Sequence, residues 1–169
     1  MPAPQPNEYA PFYGKYVTLI GERDIIAMLE TQYAEDLAWL RGLPADRHRF
    51  AYAEGKWTLQ EVLQHMSDTE RIFAYRALRF GRGDTTPLPG FDENTYTPAA
   101  RVARRSYESV VEELAAVRLA SLALVRSFDE EALSQFGTAS GNAMSCRGAV
   151  YSIAGHWMHH MNIIRERYV

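Results

Sequence analysis

Cysteine is almost absent from this chain of 169 residues, which contains only Cys146. A single cysteine cannot form a disulfide within the chain, and it excludes a cysteine-rich zinc site. Cys146 lies at the start of the last predicted helix, where the positive helix end could lower the pKa of the thiol. We favour a small buried hydrophobic side chain over a reactive thiol at this position.

Lysine is also scarce, and basic charge does not dominate the sequence. Of the 18 lysine and arginine residues only two are lysines, Lys15 and Lys56, and the net charge of the chain is −3. Because a nucleic-acid-binding surface must neutralise phosphates, we expect no nucleic-acid partner. The densest arginine cluster is Arg101, Arg104 and Arg105. We favour a solvated face there over a docking point for an anion, although arginine geometry suits bidentate contacts to carboxylates.

Long apolar runs and a signal peptide are both missing. The apolar stretches are short and interrupted by charge, so no transmembrane helix and no membrane partner are expected. Residues 1–8 lack the basic start and apolar segment of a signal peptide. Apolar residues make up 47% of the chain and charged residues 23%, as in an ordinary globular domain with a full core. We therefore predict one cytoplasmic domain.

Hydrophobic periodicity is helical along most of the chain. It predicts four helices. The second begins at a cap at Thr58 and is ended by Gly81 and Gly83, and the other three span residues 22–41, 106–127 and 145–168. The second helix has the clearest start, because the Thr58 hydroxyl can accept from the Glu61 amide while the Glu61 carboxylate accepts from the Thr58 amide. Four such helices predict an all-α four-helix bundle with short extra helical turns.

The segments between the helices are predicted to be irregular. Residues 1–21 contain four prolines and should form an extended N-terminal arm, followed by a bundle domain over residues 22–169. Residues 84–98 should form a loop, either a lid over a pocket or a solvated turn with buried aromatic anchors. Residues 137–142 should form a plain loop, and Ser145 should cap the last helix.

The histidines are the residues that suggest chemistry. His156 and His160 are four residues apart, so both imidazoles lie on one face of the last helix. His65 lies at the edge of the inward stripe of the second helix. If the two helices are neighbours, three imidazoles can surround a divalent ion and leave a coordination position open. The spacing alone is a weak signal, and buried or surface histidines are the default interpretation without further support.

The other two histidines and the cysteine are poorer ligands. His159 points about 100° away from His160 around the helix, so we expect a surface, interface or supporting role for it. His48 lies in a polar loop and should be solvated. Cys146 is about 15 Å from His156 along the helix axis, which is too far to share one ion.

Four carboxylates could orient the histidines. A ligating imidazole usually donates its second ring N–H to an acceptor, and the candidates are Glu61, Asp68, Asp92 and Glu93. A metal-bound water would have a lowered pKa and could act as base or nucleophile, while the ion could also polarise a carbonyl or hold a thiolate. No protein side chain is assigned as the catalytic group.

Residues 57–68, 70–78, 155–160 and 165–168 resemble the DinB-like (DinB/YfiT) superfamily, and residues 89–96 resemble a loop of one of its branches. The resemblance extends over about residues 24–168, and the order and separation of the motifs are more specific than any single motif. It implies a four-helix bundle with a divalent metal, often zinc or nickel, bound by His65, His156 and His160. It also implies a homodimer. Trp157 stands where many relatives have Glu, so the chemistry or metal preference of this protein can differ.

The resemblance also suggests an activity. Characterised relatives include S-transferases and isomerases that use low-molecular-weight thiols, and others are described only as metal-dependent hydrolases. We therefore expect a metal-dependent enzyme that activates a thiol or water for transfer to, or hydrolysis of, a small molecule. A non-catalytic, metal-containing bundle for ligand binding or a stress response is the alternative. It is suggested by the lack of an obvious base and by the aromatic residues of the arm, Tyr9, Phe12, Tyr13 and Tyr16. A purely structural bundle is the weakest hypothesis.

Overall fold

The computed structural model describes residues 1–169 and consists mainly of helices. Two short strands, β1 Phe136–Ala139 and β2 Asn142–Ser145, form an antiparallel hairpin. No helix is long and apolar enough to cross a membrane. The helices are, in chain order, α1 Gly14–Ile20, α2 Ile25–Thr31, α3 Leu37–Arg41, α4 Ala45–His48, α5 Leu59–Gly81, α6 Glu93–Ala99, α7 Tyr107–Arg126, α8 Glu130–Ser134 and α9 Cys146–Arg167.

Four long helical segments form a bundle, as predicted. The first consists of α2 and α3, which are joined by a π-helical turn at Gln32–Asp36. The other three are α5, α7 and α9. Helix α5 packs against both α7 and α9, and the α2–α3 segment packs against α7. The two helices that carry the candidate histidines, α5 and α9, are therefore neighbours.

Side-chain caps determine where the long helices begin. Thr58 accepts from the Glu61 amide at the start of α5, and Glu61 accepts from the Thr58 amide at 2.7 Å, which confirms the capping box. Ser106 caps α7 and Ser145 caps α9 in the same way. Each cap satisfies an amide that has no partner within its own helix. The starts of these three helices consequently agree with the sequence predictions.

The N-terminal arm is less extended than predicted. It forms 3-10 turns at Pro6–Glu8 and Pro11–Tyr13, and then α1, which packs along α9. A helix as short as α1 is not stable alone, and it forms here because tertiary packing buries Tyr16, Val17 and Ile20. The boundary between arm and bundle at residue 21 stays a prediction.

Two predicted loops contain regular structure. Within residues 84–98, α6 begins at Glu93 after its cap Asp92, whose side chain accepts from the Asn94 amide at 2.9 Å. Residues 137–142 belong to the β1–β2 hairpin rather than to a plain loop. Ser140 and Gly141 have φ values of 53° and 76° at its tip, the backbone conformation that tight two-residue hairpin turns need.

A buried polar network crosses the hydrophobic core at Arg118. The guanidinium donates to Glu70 Oε2 at 2.8 Å and to Gln32 Oε1 at 2.6 Å. It also lies 4.2 Å from the ring centroid of Trp157, whose Nε1 donates to Asp36 Oδ2 at 2.6 Å. Gln32 and Asp36 are the two ends of the π-helical turn. This turn therefore directs both side chains inward, where they join α5, α7 and α9.

Candidate metal centre

Three histidines from two helices meet inside the bundle. His65 comes from α5, and His156 and His160 come from α9; one ring nitrogen of each lies within 4.8 Å of the others. His65 Nε2 and His156 Nε2 are 3.0 Å apart. The structure thus brings together the three residues that the sequence singled out. The helical spacing of His156 and His160 and the packing of α5 on α9 are sufficient to explain the arrangement.

Burial keeps the three imidazoles neutral. It lowers the pKa of His65 to about 4, and it holds the pKa of His156 and of His160 well below the ordinary value, with neighbouring histidines adding to the effect. A neutral imidazole carries the lone pair with which histidine binds a metal ion. The Nε2 atoms of His65 and His156 face each other, so both can act as ligands of one ion. This set of donors fits a divalent cation.

The Thr69 hydroxyl lies within reach of the second ring nitrogen of His65. Its Oγ1 lies 3.4 Å from His65 Nδ1, one helical turn further along α5. If Nδ1 carries the proton, it donates to this hydroxyl, and the Nε2 lone pair then faces the other two histidines. Such an acceptor on the far ring nitrogen is usual for ligating histidines. Sequence reasoning expected a carboxylate in this role.

Glu93 is the one predicted carboxylate that shares a cavity with the histidines. Its charge raises the pKa of His65 and opposes the larger effect of burial. The other three candidates have different partners. Glu61 belongs to the cap at Thr58, Asp68 accepts from Gln64 at 3.1 Å, and Asp92 caps α6.

The histidines open onto a cavity of about 260 Å³. The N-terminal arm forms one wall, where the Tyr16 ring centroid lies 5.5 Å from that of His156. Trp57 forms a second wall, and its ring centroid lies 5.0 Å from that of His65. The remaining lining residues are Phe12, Tyr13, Lys15, Thr69, Phe73, Phe91, Glu93, Ser140 and His159.

Sequence reasoning missed the arm residues as part of the site. The signal was present, because Tyr13, Tyr16, Val17 and Ile20 recur at the three- and four-residue spacing of one helix face. The proline-rich start before them favoured an extended chain instead.

The remaining singled-out residues lie outside the cluster. His159 is half-buried at the cavity wall. His48 is not simply solvated, because it stacks on Tyr107 at 3.7 Å between ring centroids. Cys146 is fully buried and burial raises its pKa to about 12, which confirms the hydrophobic role. Arg105 pairs with Glu113, so this member of the arginine cluster does not form an open anion site.

Comparison with known proteins places the chain among related bundles. The family model of the DinB superfamily matches residues 28–164. The fold is similar to that of YfiT from Bacillus subtilis, described as "a probable metal-dependent hydrolase with an unusual four-helix bundle topology". The TM-score is 0.72 at 17% identity, covering 96% of this chain and 89% of YfiT.

A second solved structure has a similar fold. It is a mycothiol-dependent maleylpyruvate isomerase, with a TM-score of 0.65 at 16% identity. The similarity covers 82% of this chain but only 58% of the isomerase, so this chain spans little more than half of that protein. No curated protein sequence matches the chain. At these identities the two structures support the fold alone.

Proposed function

This chain belongs to the DinB superfamily, and we propose that it is an enzyme that depends on a divalent metal ion. His65, His156 and His160 would hold the ion, and zinc or nickel suits three imidazole ligands. The observation that carries the proposal is the meeting of three neutral imidazoles at one side of a cavity.

The proposed reaction activates a low-molecular-weight thiol or a water molecule. When bound, the ion would lower the pKa of that thiol or water and polarise the substrate. Three protein ligands leave room for an exogenous one. Thr69 Oγ1, 3.4 Å from His65 Nδ1, would accept from that nitrogen and leave Nε2 for the ion. Tyr16 and Trp57 cover the histidines, and the exclusion of water strengthens electrostatic interactions between the site and its substrate.

The substrate would be a small molecule, because the cavity is about 260 Å³ and typical ligand pockets begin at about 300 Å³. In S-transfer, the thiol sulfur forms a bond to an electrophilic carbon as the bond from that carbon to its leaving group breaks, and the thiol proton passes to the leaving group or to solvent. In hydrolysis, water takes the place of the thiol. The descriptions of the two similar structures, a mycothiol-dependent isomerase and a metal-dependent hydrolase, support keeping both reactions.

Elemental analysis of purified protein tests the metal centre. We expect one divalent ion per chain in the wild type and a sharp loss in His65→Ala, His156→Ala and His160→Ala. His48→Ala and His159→Ala are matched controls that should keep the ion, because neither residue belongs to the cluster. Unchanged metal content in all three cluster variants would end the proposal.

Turnover separates an enzyme from a ligand-binding bundle. The metal-loaded protein is incubated with low-molecular-weight thiols and small electrophiles, before and after chelation. Transfer or hydrolysis that disappears on chelation supports the proposed enzyme. Tight ligand binding without turnover would instead favour the non-catalytic alternative.

We further propose the homodimer and the cytoplasmic location expected from the sequence. Light scattering in solution should give the mass of two 19.2 kDa chains. A mass of one chain at working concentrations would contradict the dimer.

A further inference from the structure

Arg76 is a buried cation without a counter-charge. Only 1% of the residue is exposed, and its three hydrogen-bond acceptors are all neutral. They are Tyr13 Oη at 3.4 Å, the Pro89 carbonyl oxygen at 3.4 Å and Ser140 Oγ at 3.0 Å. A guanidinium stays protonated in proteins, and burial of an unpaired charge is unfavourable. Arg118 is equally buried but has the carboxylate of Glu70, so the missing acid at Arg76 requires an explanation.

The two hydroxyls that contact Arg76 have unused donors. Tyr13 and Ser140 each accept from the guanidinium, and neither hydroxyl donates to any protein acceptor. Since each hydroxyl carries one O–H, two donors polarised by a nearby positive charge remain available. Both residues line the cavity that contains the histidines. Two O–H donors next to a guanidinium can donate hydrogen bonds to an anion, and the guanidinium supplies the opposite charge.

Tyr13 and Ser140 share the cavity with the histidines, and Arg76 lies behind their hydroxyls. His65, Thr69, Phe73 and Arg76 fall on one face of α5, and the long Arg76 side chain points back toward the helix start, in the direction of His65. The Phe73 ring centroid lies 6.4 Å from that of His156. Tyr13 packs edge-on against Phe73, with ring centroids 5.4 Å apart. The carboxylate that lines the cavity, Glu93, acts on the histidines, where it raises the pKa of His65. A ligand that reaches from the Tyr13 hydroxyl to the histidines must extend past the Phe73 ring and is therefore elongated.

We propose that Tyr13, Ser140 and Arg76 form a carboxylate subsite, in which the hydroxyls donate to the ligand and Arg76 supplies the charge behind them. This inference deepens the proposed function, on which it rests for the role of the histidines. It assigns an elongated monocarboxylate as the substrate or thiol of that reaction. A single buried cation matches one negative charge and is less suited to a phosphate dianion.

Binding of hexanoate, compared with 1-hexanol, tests the subsite. The two probes have the same chain length and differ in the carboxylate. In metal-free protein, we expect hexanoate to bind at least about tenfold more tightly, as for a hydrogen bond to a charged group. Titration followed by amide NMR should shift the Ser140 and Gly141 signals with hexanoate only.

Variants show whether the named groups produce the preference. The double variant Tyr13→Phe/Ser140→Ala leaves Arg76 in place and should lose most of the preference, as should Arg76→Gln. If Arg76→Gln does not fold, the double variant alone decides. Tyr75→Phe is the matched control, because Tyr75 accepts from Arg79 on the same helix but outside the cavity. It should keep the full preference for hexanoate.

The results separate this inference from the metal proposal. Equal affinity for hexanoate and hexanol in the wild type, or an undiminished preference in the double variant, overturns the subsite. The hexanoate preference needs no metal, so it survives if the metal proposal fails. In metal-loaded protein, 6-mercaptohexanoate should bind more tightly than hexanoate. Equal binding of these two probes, with the hexanoate preference intact, would support the subsite and count against thiol activation.

Discussion

Gly155 is where the N-terminal arm approaches α9 most closely. A Cβ atom at this position would lie 2.3 Å from the Tyr16 carbonyl oxygen and 2.6 Å from its carbonyl carbon. An ordinary carbon–oxygen contact is about 3.3 Å or longer. The atoms in the way are mainly backbone, so a rotamer change cannot relieve the contact. In Gly155→Ala, α1 must therefore move by about 1 Å, and the Tyr16 side chain moves with it.

Two opposing effects determine the size of the change. Overpacking of this kind destabilises a protein by about 1–3 kcal/mol, while replacement of a helical glycine by alanine stabilises the helix by about 0.5–1 kcal/mol. These ranges leave a net loss of about 0–2.5 kcal/mol, and because the contact is with backbone we expect about 0.5–2 kcal/mol within it. In a protein of this size, that loss lowers the Tm by roughly 1–8 °C.

Thermal unfolding followed by circular dichroism measures the stability, and amide hydrogen exchange shows where the structure loosens. Exchange in α1 should accelerate, while exchange in α7 should not. Gly42→Ala is the matched control, because its added Cβ would meet the nearest atom at an ordinary 3.5 Å. A Gly155→Ala variant with unchanged α1 exchange and a Tm at or above that of the wild type would refute the reasoning.

Two further predictions concern groups that are buried away from the cavity. Glu70→Ala leaves the Arg118 guanidinium without its carboxylate, so urea unfolding should show a loss of about 3–5 kcal/mol. The double variant Glu70→Ala/Arg118→Met should lose at least about 1 kcal/mol less than the sum of the single variants, whereas strict additivity would contradict the coupling. Cys146, with its pKa raised to about 12 by burial, should not react with a disulfide reagent at pH 8 in native protein. It should react once the chain is unfolded, and rapid native reaction would contradict its burial.

Local sequence signals predicted the elements whose stability is mainly local. The hydroxyl of Thr58 and the carboxylate of Glu61 satisfy backbone amides within a few residues of chain, so their pattern is visible in the sequence. Ser145 acts in the same way. The α1 helix is different, because seven residues form it only by packing on α9. The hairpin tip at Ser140 and Gly141 contained a turn signal, but the strands beside it are only four residues each.

The candidate site was predicted in part for a similar reason. Helical periodicity placed His156 and His160 on one face, and the capped start of α5 placed His65 on an inward edge. Which acceptor orients His65 depends on side-chain conformation and on packing between helices. In the sequence, four carboxylates were equally plausible acceptors for a histidine ligand. In the structure, the group at 3.4 Å from His65 Nδ1 is the Thr69 hydroxyl. The subsite at Arg76 brings together residues 13, 76 and 140, a combination that sequence spacing does not reveal.

Trp157 connects the histidine cavity to the buried network on the other side of α9. It follows His156 directly, so its side chain points about 100° away around the helix. There it donates to Asp36 and stacks with Arg118, and it does not line the cavity. The aromatic residue at this position therefore cannot tune a bound ion by direct contact. We expect it to act on the site indirectly, because its contacts with Asp36 and Arg118 hold the rotation of α9 and with it the directions in which His156 and His160 point.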